Sequence, residues 1–221
     1  ATINTNWALP NYAFFNDVFR NTMRGEPFNN IGFIYDYNRN YSLVEEIIKG
    51  SSSKCYLFQA PSQSINYVEC HDNYTFYDKL SKDVNNLTEE EKQKYVILSL
   101  GLVVLSIGIP FIHAGEEAMR SKKGIDNTYN ASLDINGIDL LSNPYNDIID
   151  ALKYFINFRK EQSIYKINDS DTLDDLIEFD VLNDSTLRMK TKTFDIIFKN
   201  NKQELVLDYQ NFEINYNGII Y

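Results

Sequence analysis

Cysteine is scarce in this chain, and what little there is excludes two classes of protein. Cys55 and Cys70 are the only two. They have no metal-site spacing, and one pair does not define a disulfide framework, so both are expected to be free thiols. Basic residues are also few. Lys and Arg number 21 against 31 Asp and Glu, a formal charge of −10. A phosphate-backbone partner needs clustered cations, so nucleic acid is excluded and a neutral, hydroxyl-rich polymer suits this surface better. Apolar runs are limited to one stretch that could tempt a membrane reading: Tyr95 to Ile112 carries no charge over eighteen residues, the minimum for a span. Gly101, Gly108 and Pro110 break it into helix plus strand, and the polar His113-Ala-Gly-Glu-Glu117 follows at once. A buried helix wedged between other elements needs the same apolarity, and no membrane partner is expected. There is no initiator Met and no visible signal peptide, which leaves cellular location open. No internal repeat is evident.

What is present points to folded cores. The chain has 221 residues, 43% hydrophobic and 14% aromatic, enough for one large or two modest domains and too apolar for disorder. Ala13 to Phe15 read as a short strand, with a helical turn from Asn16-Asp17 carrying Phe19 and Met23. Ser42 to Lys49 reads as a helix with Leu43, Ile47 and Ile48 on one face. Thr88-Glu-Glu-Glu91 is a capping-box pattern opening a helix that runs to Ser106 and stops near Gly108-Ile-Pro110. Ile109 to Ile112 read as a strand, and Asn146 to Glu161 as a helix with Ile148, Ile149, Leu152, Phe155 and Ile156 on one face and Arg159 and Lys160 at its end. Beyond Ser163 the period changes from 3.6 to 2, through Leu187, Met189, Phe194 to Phe198, Leu205 to Leu207 and Phe212 to Tyr216, with Asn-rich turns between. That is an all-β segment of short strands. Asn217-Gly218 is a two-residue hairpin signal with only three residues after it.

Chemistry concentrates in Ser64 to Leu80. Ile65, Tyr67 and Val68 read as a buried strand, with His71, Asp72 and Asn73 where it ends. In a parallel barrel, catalytic residues collect at the carboxyl ends of strands, so this cluster is a site candidate. Tyr74, Tyr77 and Asp78 add groups of the kind that sugars stack and hydrogen-bond against. A His-Asp pair satisfied within its own loop is the plainer alternative. Cys70, beside His71, reads as a packing residue of the strand and not as a nucleophile. His113, followed by Glu116 and Glu117, has no ligand pair at i, i+4 spacing, so a hydrogen-bond network is expected there and no metal.

Gln63 to Leu80 resembles the segment around the third catalytic carboxylate of type I pullulanases, the α-1,6-debranching branch of the α-amylase-type glycoside hydrolases. Phe14 to Gly25, Gly108 to Gly124 and Asn127 to Asn136 resemble three further blocks of that family, in family order. The resemblance implies an α/β chain: residues 1–163 as the C-terminal half of a (β/α)8 TIM barrel, and residues 164–221 as an all-β, sandwich-like C-terminal domain, possibly truncated. It implies a retaining glycoside hydrolase acting on α-1,6 branch linkages of pullulan, glycogen or starch, of bacterial origin and without a cofactor. Asp72 corresponds to the carboxylate that stabilises the oxocarbenium-like transition state, and His71 to a donor that holds a hydroxyl of the same sugar. Asn73, Tyr129 and Asn130 are candidates for lining the groove, with loop structure as the alternative for each. Retaining hydrolysis also needs a nucleophile and an acid/base held roughly 5 to 5.5 Å apart. In this family both precede the block that opens this chain, and neither surrounding motif is found here. The chain is therefore expected to be part of a longer or split enzyme, inactive alone, with an α-glucan and the N-terminal half of the barrel as partners. A non-catalytic glucan-binding protein is the alternative. Ala118, Gly137 and Leu140 stand where the family commonly has an aromatic, Gln and Trp, so the resemblance implies a mouth of the barrel trimmed at these three positions.

Overall fold

The computed structural model describes residues 3–28, 32–35, 40–53, 57–138, 144–200, 203–209 and 212–216. Cys55, Leu140 and the Asn217-Gly218 turn lie outside the described residues. Strand β1 (Phe14–Phe15) leads to α1 (Asp17–Arg24) and α2 (Tyr41–Ile48). Then come β2 (Ser64–Asn66), α3 (Phe76–Asp83), α4 (Glu89–Leu105), β3 (Ile109–Pro110), α5 (Leu133–Asn136), α6 (Asn146–Glu161) and α7 (Ser170–Leu176). Five strands complete the order: β4 (Glu178–Asn183), β5 (Thr186–Lys190), β6 (Phe194–Lys199), β7 (Glu204–Tyr209) and β8 (Phe212–Tyr216). β1, β2 and β3 form a parallel sheet in that order, and β4 to β8 an antiparallel meander. The protein is thus α/β, with one parallel and one antiparallel sheet.

Helix starts follow the side chains that can accept from orphan N–H groups. The carboxamide of Asn16 accepts from Phe19 at 2.9 Å and the hydroxyl of Thr75 from Asp78 at 3.1 Å. Thr88 and Glu91 form the full reciprocal box. Asp169 caps α7 by accepting from Thr172 at 2.8 Å. That helix is a structural surprise, because the switch to period 2 was expected to begin directly after Ser163.

Helix α4 is the hub. Every residue from Tyr95 to Leu105 is buried, as expected of a helix apolar on all sides, and among the described residues no helix is long and apolar enough to cross a membrane. Gly101 marks its closest approach to neighbours: a Cβ there would stand 2.5 Å from Leu205 Cδ1 of β7 and 3.3 Å from Phe155 of α6. The last carbonyls of α4 are satisfied from α6. Arg159 donates to the oxygens of Val104 at 2.7 Å, Ser106 at 2.6 Å and Gly108 at 2.5 Å, and Tyr165 donates to Leu105 at 3.0 Å. Arg159, expected to complement the dipole of its own helix, instead closes a different one.

The parallel strands are shorter than the sequence suggests. β2 ends at Asn66 and not near His71, and β3 spans two residues where four were expected. Pro110 pairs with Asn66 and has no N–H to extend the ladder, so Phe111 N–H to Asn66 O, at 2.9 Å, closes it. Tyr67 and Val68 are nonetheless buried. Ile65, expected to be buried with them, is only half-buried between the fully buried Ser64 and Asn66. One face of the sheet is sealed by a polar network: Asn16 donates to Ser51 and Ser64, Ser64 to Asn66, and Asn66 to Ile107 O. Elsewhere on the sheet Phe15 packs edge-on to Tyr67 and Phe111, both at 5.0 Å, yet Phe15 stays 44% and Ile109 41% exposed.

The antiparallel sheet buries alternate residues, Leu187 and Met189 on β5 and Phe194, Ile196 and Phe198 on β6, as period 2 requires. A second sheet, which a sandwich would need, is not among the described residues. Phe194 packs edge-on to Phe158 of α6 at 5.0 Å and stacks on Tyr165 at 6.3 Å, tying the sheet to the helices. Phe194→Ala should lower unfolding free energy by about 3–5 kcal/mol in urea titrations. Val181→Ala, at a side chain 46% exposed, should cost less than about 1 kcal/mol.

Candidate functional site

The loops after β1, β2 and β3 gather at the carboxyl end of the parallel sheet, where open α/β sheets present their sites. After β1, Arg20 donates to the Tyr67 hydroxyl at 2.8 Å, and Tyr67 donates to Asp17 at 2.5 Å. Burial and the bond to Asp17 raise the Tyr67 pKa, so it remains a neutral donor.

The loop after β2 carries the His-Asp pair and is fixed by buried charge at both ends. Glu69, 1% exposed, accepts the Phe76 N–H at the start of α3 at 2.6 Å and pairs with His113 Nδ1 at 2.7 Å. A carboxylate at a helix N-terminus is favoured by the dipole. Arg24, also buried, donates to Tyr74 O at 3.1 Å. Lys122 reaches back from the loop after β3 and donates to His71 O at 3.3 Å, to Asn73 O, and to Asp126 O at 3.0 Å. Asp78 holds Lys122 itself, accepting its N–H at 2.7 Å and the Ser121 hydroxyl at 2.6 Å. The backbone is therefore anchored while the side chains of His71 and Asp72 stand in solvent: His71 Nε2 lies 3.4 Å from Asp72 Oδ1, with side chains 82% and 72% exposed.

His71 and Asp72 share a cavity of about 230 Å³ with His113, Arg120, Lys122, Asn127, Thr128, Tyr129 and Asn136. Of the residues singled out from sequence, the structure thus brings His71, Asp72 and Tyr129 together. Tyr129 is 83% exposed, an aromatic face of the kind that stacks on a sugar. Asn73 takes part through its carbonyl, held at a left-handed φ of 62°. Asn130 is exposed beside Tyr129 but does not line the cavity. Tyr74, Tyr77 and Asp78 turn away from it. Tyr74 packs on Phe28 at 5.7 Å, the Tyr77 hydroxyl bonds Glu89 at 3.2 Å, and Asp78 is spent on the Lys122 loop. Sequence reasoning missed Glu69, Arg24 and Lys122. Glu69 left a signal, since a carboxylate between Val68 and Cys70 in a buried run requires a partner.

The hydrogen-bond network expected at His113 is present. His113 N–H donates to Glu116 at 3.3 Å and Gly115 N–H to Glu117 at 3.1 Å. The donor atoms of Cys70, His71 and Asp72 fall within 4.8 Å of one another. Burial raises the Cys70 pKa, so ligation through its sulfur would have to displace a proton.

Glu116 is 3% exposed and its Oε1 has no partner among the described residues. Burial first, and then the nearby Glu69 carboxylate, raise its pKa well above the ordinary 4.5. Unfolded, Glu116 loses its proton near pH 4.5, whereas folded it keeps that proton to higher pH. The native state binds the extra proton in that window, so stability falls as pH rises from 4.5 towards the raised value. Glu116→Gln should remove this decline. Denaturation curves should show the variant gaining on the parent at pH 7 and matching it near pH 4.

No family model matches the sequence. The pullulanase of Bacillus subtilis (strain 168) is 33% identical over 165 residues, which is 72% of this chain and 23% of the relative. The pullulanase structure from Anoxybacillus sp. LM18-11 superposes with a TM-score of 0.84 at 28% identity, covering 99% of this chain and 35% of its own. The type I pullulanase of Bacillus subtilis str. 168, solved with maltose, gives 0.83 at 28% identity over 95% of this chain and 30% of its own. The chain therefore spans about a quarter to a third of the length of these proteins. On these similarities the chain belongs to the pullulanases, and it is consistent with a C-terminal portion of a type I pullulanase.

Proposed function

We propose that this chain is the part of a pullulanase-like, retaining glycoside hydrolase that supplies the transition-state carboxylate and a sugar-holding histidine, for cleavage of α-1,6 branch linkages in pullulan, glycogen or starch. The observation that carries the reading is the pair itself: His71 and Asp72 stand side by side at the cavity, exposed side chains on an anchored loop. Asp72 would stabilise the positive charge that develops on the sugar, an electrostatic contribution of several kcal/mol in a site closed by substrate. His71 would donate to a hydroxyl of the same ring, with Tyr129 stacking on a neighbouring sugar and Asn73 and Asn130 at the margin. The Bacillus subtilis relative solved with maltose supports an α-glucan as ligand.

In this reading residues 1–163 form the C-terminal half of a (β/α)8 barrel and residues 164–221 a sandwich-like domain. The nucleophile and acid/base come from the other half of the barrel, on the same or another chain. The open sheet supports this. Among the described residues β1 and β3 pair on one side only, and Phe15 and Ile109 are left uncovered. A parallel sheet is normally covered on both faces.

The 221-residue chain alone should release no reducing ends from pullulan. Joined to or mixed with the missing half it should do so, and Asp72→Ala should lower that rate by about 100-fold or more. Turnover by the chain alone would sink this reading. Retention of maltotetraose by a well-folded chain that gives no turnover even with the missing half would favour a glucan-binding protein instead.

A further inference from the structure

Lys122 is the most heavily engaged buried cation at the site. Its side chain is 1% exposed, its ammonium bonds three backbone carbonyls, and two of those, His71 and Asn73, flank Asp72. Three donors on an ammonium match three acceptors, so no valence is left for substrate. The acceptors come from two loops. His71 and Asn73 follow β2, and Asp126 follows β3. Asn73 turns the loop at a left-handed φ of 62°, a conformation Asn adopts more readily than most residues with a side chain. Asp72 and His71 have no such hold on their side chains, both exposed and, among the described residues, paired only with one another. Their placement over the cavity is therefore set by the backbone beneath them.

We infer that Lys122 is a positioning residue, whose ammonium clamps the carbonyls on either side of Asp72 and so sets where the Asp72 carboxylate and the His71 ring meet the sugar. This rests on the function proposed above. A purely structural lysine would lower the amount of folded protein. A positioning lysine lowers the activity of protein that is folded, and only while Asp72 is there to be misplaced. Lys122→Met keeps the stem and removes all three donors.

Two measurements separate these cases. In the 221-residue chain, hydrogen–deuterium exchange should speed up about tenfold or more in peptides covering residues 69–76, with α4 and the antiparallel sheet unchanged. Exchange unchanged at 69–76, or raised equally everywhere, overturns the clamp. In the assembly completed by the other half of the barrel, kcat/KM on pullulan should fall by about 100-fold in Lys122→Met, the cost of a displacement near 1 Å. In an Asp72→Asn background the same substitution should cost less than about 3-fold, because residues that act as one unit do not add. An equal loss in both backgrounds overturns positioning through Asp72. Activity unaffected by Asp72→Asn would instead sink the proposed function, leaving the exchange result to decide whether the clamp exists.

Discussion

The structure depends on a helix that has no polar side to offer water. α4 is buried on every face from Tyr95 onwards, so other elements must surround it. The helix α6 and strand β7 come close enough that a Cβ at Gly101 would require the Leu205 side chain to shift. Its C-terminal carbonyls, out of reach of solvent, draw Arg159 and the Tyr165 hydroxyl across from α6 and the turn after it. An unsatisfied buried carbonyl costs about as much as a lost hydrogen bond, so these contacts define how the helices must meet. The short β3 then leaves the end of α4 in a fixed direction, towards the site loops.

The same device recurs at the site. Arg24 and Lys122 end on backbone carbonyls of the loop after β2, and Glu69 ends on a backbone N–H of α3 and on His113. Buried charge is expensive unless paired, and here each charge is directed at the main chain of a loop that has no regular pairing of its own. The loop is thereby rigid in its backbone while His71 and Asp72 remain free to meet a ligand. Preorganisation of this kind lowers the ordering cost of binding. It comes with local tension: Glu116 is buried beside Glu69 with one oxygen unpartnered among the described residues.

The parallel sheet shows what remains open. Asn16, Ser64 and Asn66 seal one face through side-chain hydrogen bonds, whereas Phe15 and Ile109 expose apolar surface elsewhere. Exposed sheet edges with apolar surface beside them favour association. The groove at Val104, Ile112, Ile156 and Tyr165, of about 520 Å³, lies beside the β3 edge, where Pro110 also lines it.

Much of this was legible in the residues alone. The capping box at Thr88, the span of α6 and the alternation of Leu187 and Met189 with Arg188 and Lys190 follow from local chemistry and period. Burial of Tyr67 and Val68 did too, although their strand pairing did not, because pairing depends on where Pro110 falls on a neighbour forty-four residues from Asn66. His71 and Asp72 were singled out by motif, and the sequence by itself determined which types of side chain stand in that loop. Only the tertiary structure decided which of Tyr74, Tyr77 and Tyr129 faces the cavity, and which cations hold the loop. Lys122 and Arg24 carry no local pattern. Their partners are main-chain carbonyls, which every residue possesses, so only the meeting of distant segments in space selects among them.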